Sequence, residues 1–129
     1  MNFDTCIKLQ LEGQLTNAEL CYKKLLKNKK ISKTTIANIY CNLGIICFAT
    51  KREGEAITFF KDTINLNPHS YIAYNNLGLI LSRNKKYDEA ERNFFLALKY
   101  KHHPKTYFNL ALTYENTGKI NKALKNYEK

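Results

Sequence analysis

The chain has 129 residues, 44% of them hydrophobic, and a formal charge of +10 from 21 Lys and Arg against 11 Asp and Glu. That length and apolar content suit one folded domain and exclude wholesale disorder, while no apolar run approaches the ~20 residues of a membrane span. Arg supplies only Arg52, Arg83 and Arg92; a diffuse Lys excess, which an AT-rich genome also produces, argues against a nucleic-acid partner because planar phosphate and base contacts favour Arg.

The N-terminal stretch lacks a basic segment followed by an apolar run, so no signal peptide is expected and the expected location is cytoplasmic. In it Gly13 marks a turn, and Ala18, Tyr22 and Leu25 mark a helix after it. A basic segment, "KNKKISKT" at 27–34, follows. Next, Tyr40, Leu43, Gly44 and Cys47 recur at i, i+3, i+4, i+7, one face of a helix. Ala56, Phe60 and Thr63 form a second helical face, and Pro68 closes the segment because proline removes a donor and disfavours helix before it. The pattern then returns as Tyr74, Leu77, Gly78 and Leu81 with Ala90, Phe94 and Ala97, ending near Pro104. It returns again as Tyr107, Leu110, Ala111 and Tyr114 with Ala123 and Tyr127. Gly44 to Gly78, Ala56 to Ala90 and Phe60 to Phe94 are each separated by 34 residues, and Leu77 to Leu110, Ala90 to Ala123 and Phe94 to Tyr127 by 33. Small residues at 44, 78 and 111 and at 56, 90 and 123 predict close helix pairs, with aromatics filling the wider gaps beside them.

The four cysteines, Cys6, Cys21, Cys41 and Cys47, form no CxxC pair, and no histidine follows at zinc-finger spacing. All fall in helical patterns, where a free thiol behaves as a small hydrophobe, so reduced, buried cysteines are expected.

Aromatic-x-x-Leu-Gly-x-x-aromatic, then Ala-x-x-x-aromatic, then Pro resembles the tetratricopeptide repeat family. Tyr40, Leu43, Gly44, Ala56, Phe60 and Pro68 keep the motif, with departures at Cys47 and Thr63. The resemblance implies an all-α, right-handed α-solenoid of antiparallel helix pairs, one domain of about four units near 1–33, 37–70, 71–103 and 104–129. The first unit is degenerate, its landmarks 38 residues ahead of their counterparts. The last ends at "KALKNYEK" without a capping helix, which implies continuation beyond Lys129, or cover by a second copy or a partner.

In such a solenoid the first helices line a concave surface. On a helical wheel the residues opposite the packing face are Asn38, Asn42, Ile45 and Ala49, then Ile72, Asn76, Leu79 and Arg83, then Lys105, Asn109, Leu112 and Asn116. Asn42, Asn76 and Asn109 are equivalent; Asp4 stands at the matching place in the first unit. A primary amide offers donors and an acceptor and so holds a peptide group without reading its side chain. The row resembles the asparagine ladder in the repeat region of O-linked N-acetylglucosamine transferases, although Asn before Leu-Gly also orders the stacking of first helices. Ile45, Leu79 and Leu112 add apolar contacts, and Arg83 and Lys105 favour acidic ligand segments. The two-carboxylate clamp of chaperone-binding repeats fits poorly: Asn76 and Lys105 match it, but Cys41, Ile45 and Asn109 replace its Lys, Asn and Arg.

No nucleophile constellation, phosphate-binding glycine loop, cofactor motif or metal-ligand set appears. His69, His102 and His103 sit at turns beside Pro68 and Pro104, where solvated histidines are expected. The acids of "REGEA" and "YDEAE" fall at helix starts, where they complement the dipole. The sequence thus points to a non-enzymatic protein-interaction module that takes an extended peptide or partner helix in its concave groove. The alternative is a substrate-presenting N-terminal region of a larger enzyme, such as a glycosyl-, sulfo- or methyltransferase.

Overall fold

The computed structural model describes residues 2–118. They form seven α-helices and no strand: α1 Phe3–Leu11, α2 Leu15–Leu26, α3 Lys33–Ala49, α4 Glu53–Leu66, α5 Tyr71–Arg83, α6 Tyr87–Tyr100 and α7 Pro104–Asn116. The chain divides into two compact units, Met1–Asn67 and Pro68–Lys129. Within the first, α1 pairs with α2 and α3 with α4; within the second, α5 pairs with α6, and α7 packs on both. The expected second helix around Ala123 and Tyr127, and the uncapped end, lie outside the described residues.

Each first helix is started by a side chain that accepts a backbone N–H: Asn2 for α1, Ser32 for α3, Ser70 for α5 and His103 for α7. Each is stopped by one residue in the left-handed region, at Gly13, Lys51, Lys85 and Gly118. In the first three turns a pair of bonds collects the carbonyls that the helix end leaves open. Lys51 N–H donates to Phe48 O at 3.2 Å and Arg52 N–H to Cys47 O at 2.7 Å. Lys85 with Lys86 and Gly13 with Gln14 repeat the arrangement, the Schellman pattern of helix termination. The sequence reading placed only Gly13, because lysine carries no left-handed preference of its own; at Lys51 and Lys85 the closure of the helix pair imposes the conformation.

The pairs close over small residues. A Cβ added to Gly44 would stand 2.7 Å from Phe60 Cε1, and one added to Gly78 would stand 2.6 Å from Phe94 Cε1. Both rings are wholly buried, as are Leu43, Ala56, Ala90 and Ala97. In the first unit the core runs through Cys6, Ala18, Cys21, Tyr22, Ile39, Leu43 and Ile46. In the second it is built from Ala90, Phe94, Leu98, Leu110, Ala111 and Tyr114.

One expectation is corrected. Cys6 and Cys21 are joined in a disulfide between α1 and α2, with Cα atoms 5.4 Å apart, whereas Cys41 and Cys47 are free and buried. Cys6 occupies the place that Gly44 holds in the next pair, so the close approach reserved for a small residue brings the two sulfurs within bonding reach.

The first unit is also tied by charge. Glu19 on α2 accepts from both terminal nitrogens of Arg52, at the start of α4, and its Oε2 is 2.9 Å from Lys23 Nζ. The Arg52 guanidinium, chiefly, holds the Glu19 carboxyl at about 2 against an ordinary 4.5.

Gly78→Ala forces the Phe94 ring to move and should cost about 1–3 kcal/mol in urea denaturation, with Phe94→Leu in the same chain recovering part of the loss. Because the folded Glu19 carboxyl titrates below its unfolded value, its contribution is full above about 4.5 and fades as pH falls toward about 2. Thermal melts across that window should therefore show a steeper acid loss for wild type than for Glu19→Gln.

Candidate functional site

The first helices α3, α5 and α7 bury one face and leave the other open. In the second unit α5 and α7 lie side by side. Asn109 Nδ2 donates to Asn75 Oδ1 at 3.3 Å, and the Ser82 and Thr113 hydroxyls meet at 2.9 Å. Tyr74, Leu77 and Gly78 on α5, with Leu110, Ala111 and Tyr114 on α7, face the core.

The opposite faces carry the expected residues. Along α5 these are Ile72, Asn76, Leu79 and Arg83; along α7 they are Lys105, Asn109, Leu112 and Asn116. Ile72 is 39% exposed and Leu112 36%. Arg83, Lys105 and Asn116 are exposed, while Asn76, Leu79 and Asn109 are half-buried. Phe108, 54% exposed and one turn before Leu112 on α7, was missed in the sequence reading. Its signal was present as an aromatic four residues from a leucine on the same helix, a spacing that places both on one face. In the first unit, α3 presents Asn38, exposed, with Asn42 and Ile45 half-buried.

The three equivalent asparagines have three different partners. Asn42 on α3 lies beside the hydroxyl of Tyr22, and that hydroxyl donates from α2 to Gln10 Oε1 on α1 at 2.7 Å. Burial pushes the Tyr22 hydroxyl up to about 12, so it remains a donor across the physiological range. Asn76 donates to Ile72 O of its own helix at 2.8 Å. Asn109 bridges to α5 through Asn75. Asn109 therefore spends a hydrogen bond joining two helices, whereas Asn76 spends its bond within one. The histidines at the turns also have partners: His103 caps α7, His102 Nδ1 lies 2.6 Å from Tyr107 Oη, and His69 packs on Tyr100.

Among the described residues no helix is long and apolar enough to cross a membrane. Models of the tetratricopeptide repeat match residues 37–70 and 104–129 in one case and 59–92 in another, together well over half the chain. The chain is 32% identical over 84 residues to the uncharacterized protein ycf37 of Pyropia yezoensis, covering 65% of this chain and 45% of that protein. It is 35% identical over 74 residues to ycf37 of Cyanophora paradoxa, covering 57% and 41%. It thus spans less than half the length of these relatives. Among solved structures it is similar to YrrB, a TPR protein with an unusual peptide-binding site, at a TM-score of 0.73 and 18% identity over 92% of this chain and 59% of that one. It is also similar to MamA, at 0.67 and 22% over 99% and 93%, and to a double mutant of RS-1 MamA, at 0.77 and 18% over 95% and 67%. At such identities the likeness shows the fold, an all-α solenoid of helical repeats.

The hydrogen bonds separate Asn109 from Asn76 by experiment. Asn109→Ala breaks a link between helices and should cost about 0.5–1.5 kcal/mol in chemical denaturation, whereas Asn76→Ala should stay within about 0.5 kcal/mol of wild type. One repeat match, 37–70, falls on the α3–α4 pair with its Gly44–Phe60 contact, and the chain belongs to the tetratricopeptide repeat family of protein-interaction scaffolds.

Proposed function

We propose that the chain binds an extended peptide, or a partner helix, along the open faces of its first helices. One observation carries this reading: on α5 and α7 the face turned from the core mixes apolar side chains (Ile72, Leu79, Leu112) with amides and cations, and it stays accessible although its backing is fully packed. Apolar side chains supply area, while Asn76, Asn109 and Asn116 supply donors and acceptors for a main chain that needs them. Arg83 and Lys105, one at each end of the pattern, favour carboxylate-bearing segments. Asn38, Asn42 and Ile45 form the corresponding face of α3. The peptide-binding site named for YrrB supports a peptide as the kind of ligand.

A second reading, a region that presents substrates to a catalytic domain of a longer protein, is supported by the greater length of the ycf37 relatives. It uses the same faces and differs in what lies beyond them.

Selection from a displayed random-peptide library should yield extended binders enriched in Asp and Glu. Replacing Ile72, Leu79 and Leu112 together by Ser should weaken such a peptide by about tenfold or more, because central apolar anchors dominate interfaces. Unchanged affinity in a variant with a wild-type circular dichroism spectrum would sink the groove reading. Loss of stability without loss of affinity on replacing Asn42, Asn76 and Asn109 by Ala would leave those amides a purely structural role.

A further inference from the structure

The second unit gathers its described carboxylates at one end of the helix axes, while cations stand at both ends. Its described carboxylates are Asp88, Glu89 and Glu91 in the first half of α6, and Glu115 in the last turn of α7. Antiparallel pairing puts all four toward one end. At the other, roughly 15–20 Å away by helix rise, α6 ends and α5 and α7 begin. That end holds Lys99, Lys101, Lys105 and all three histidines of the chain, and no described carboxylate of the unit.

The arrangement is built rather than diffuse. Lys101 Nζ stands 5.0 Å from the centroid of Tyr71, whose ring stacks on His103 at 6.1 Å. Lys99 Nζ stands 5.6 Å from that of Tyr100, which stacks on Tyr74 at 6.1 Å and takes His69 edge-on at 4.7 Å. Ring faces attract the ammonium groups and restrict them. His103 Nδ1 accepts the backbone N–H of Lys105 at 3.1 Å, so its own proton is on Nε2 and that nitrogen is a donor. The N-termini of α5 and α7 add the positive ends of two helix dipoles. Among the described residues no ion pair engages Lys99, Lys101 or Lys105.

We propose that this end of the second unit is a binding surface that meets the groove at Lys105 and extends beyond it over Lys99 and Lys101, and that it takes a carboxylate-rich segment of a partner protein. Charge complementarity names the ligand: ordered cations and N–H donors with no described acid of the unit to answer them. The rings decide against single-stranded nucleic acid, which needs free aromatic faces on which bases stack. Here Tyr71 is engaged by His103 and Lys101, and Tyr100 by Tyr74, His69 and Lys99. Their role is to hold cations in place.

The test is fluorescence anisotropy of a labelled peptide of alternating Glu and Asp against the full chain at ~0.15 M salt, where charges farther apart than a Debye length are screened. Lys99→Gln with Lys101→Gln should weaken binding about fivefold, from two exposed pairs of about half a kcal/mol each. Lys85→Gln with Lys86→Gln removes the same charge at the opposite end and should weaken it less than about twofold. Circular dichroism checks that both variants are folded. Equal losses in the two variants would reduce the effect to net charge and overturn the proposal. It is also overturned if Leu79→Ser with Leu112→Ser abolishes the binding, which assigns the peptide to the groove. Tighter binding of oligothymidylate or of phosphatidylserine vesicles, lost in the Lys99/Lys101 variant, would replace the peptide with another ligand.

Discussion

An absent side chain sets the geometry of these helix pairs. Gly44 lies under the ring of Phe60 and Gly78 under that of Phe94, each so close that a single methyl group has no room. The aromatic that exploits this absence is wholly buried, and the neighbouring alanines, Ala56 and Ala90, let the backbones approach on either side of it. With the crossing held by shape, one face of each first helix is committed to the core and the other is left open. Burying one ring against backbone stabilises each pair in a way no surface ion pair matches, since packed apolar area counts for kilocalories and exposed pairs for tenths.

The features legible in the sequence were those created by side-chain size and period. Tyr40, Leu43 and Gly44, and their counterparts after 34 residues, announce a packed face because no other arrangement uses small and aromatic residues at that interval. Turn conformation was legible only where it was written as glycine. Lys51 and Lys85 adopt the same left-handed backbone as Gly13 because two hydrogen bonds to the preceding helix demand it, and nothing in the lysine side chain reports that demand. The paired cysteines were misread for a related reason: their separation of 15 residues is uninformative until both helices are placed.

The open faces show the same division. Helical periodicity places Ile72, Leu79, Arg83, Lys105 and Leu112 opposite the core; in the structure Leu79 is half-buried and the other four are exposed. Periodicity could not say that, of the three asparagines equivalent by position, Asn42 would lie beside a tyrosine hydroxyl, Asn76 would bond to a carbonyl of its own helix and Asn109 to another asparagine. Those partners depend on which side chains neighbouring helices supply, a tertiary matter. The histidines were similarly invisible as a group. His69 is far in sequence from His102 and His103, and only the pairing of α5 with α6 and the start of α7 gathers them with the tyrosines.

The first helix pair departs from its neighbours in one respect. Where the others place glycine under an aromatic ring, α1 and α2 place Cys6 against Cys21. Shape complementarity is indifferent to the surroundings, but a sulfur–sulfur bond answers to the local thiol–disulfide poise. The same architectural position is thus filled by a passive contact in the later pairs and by a chemically reversible one in the first. A reductant would act on the cohesion of this pair alone and leave the glycine-sealed pairs as they are.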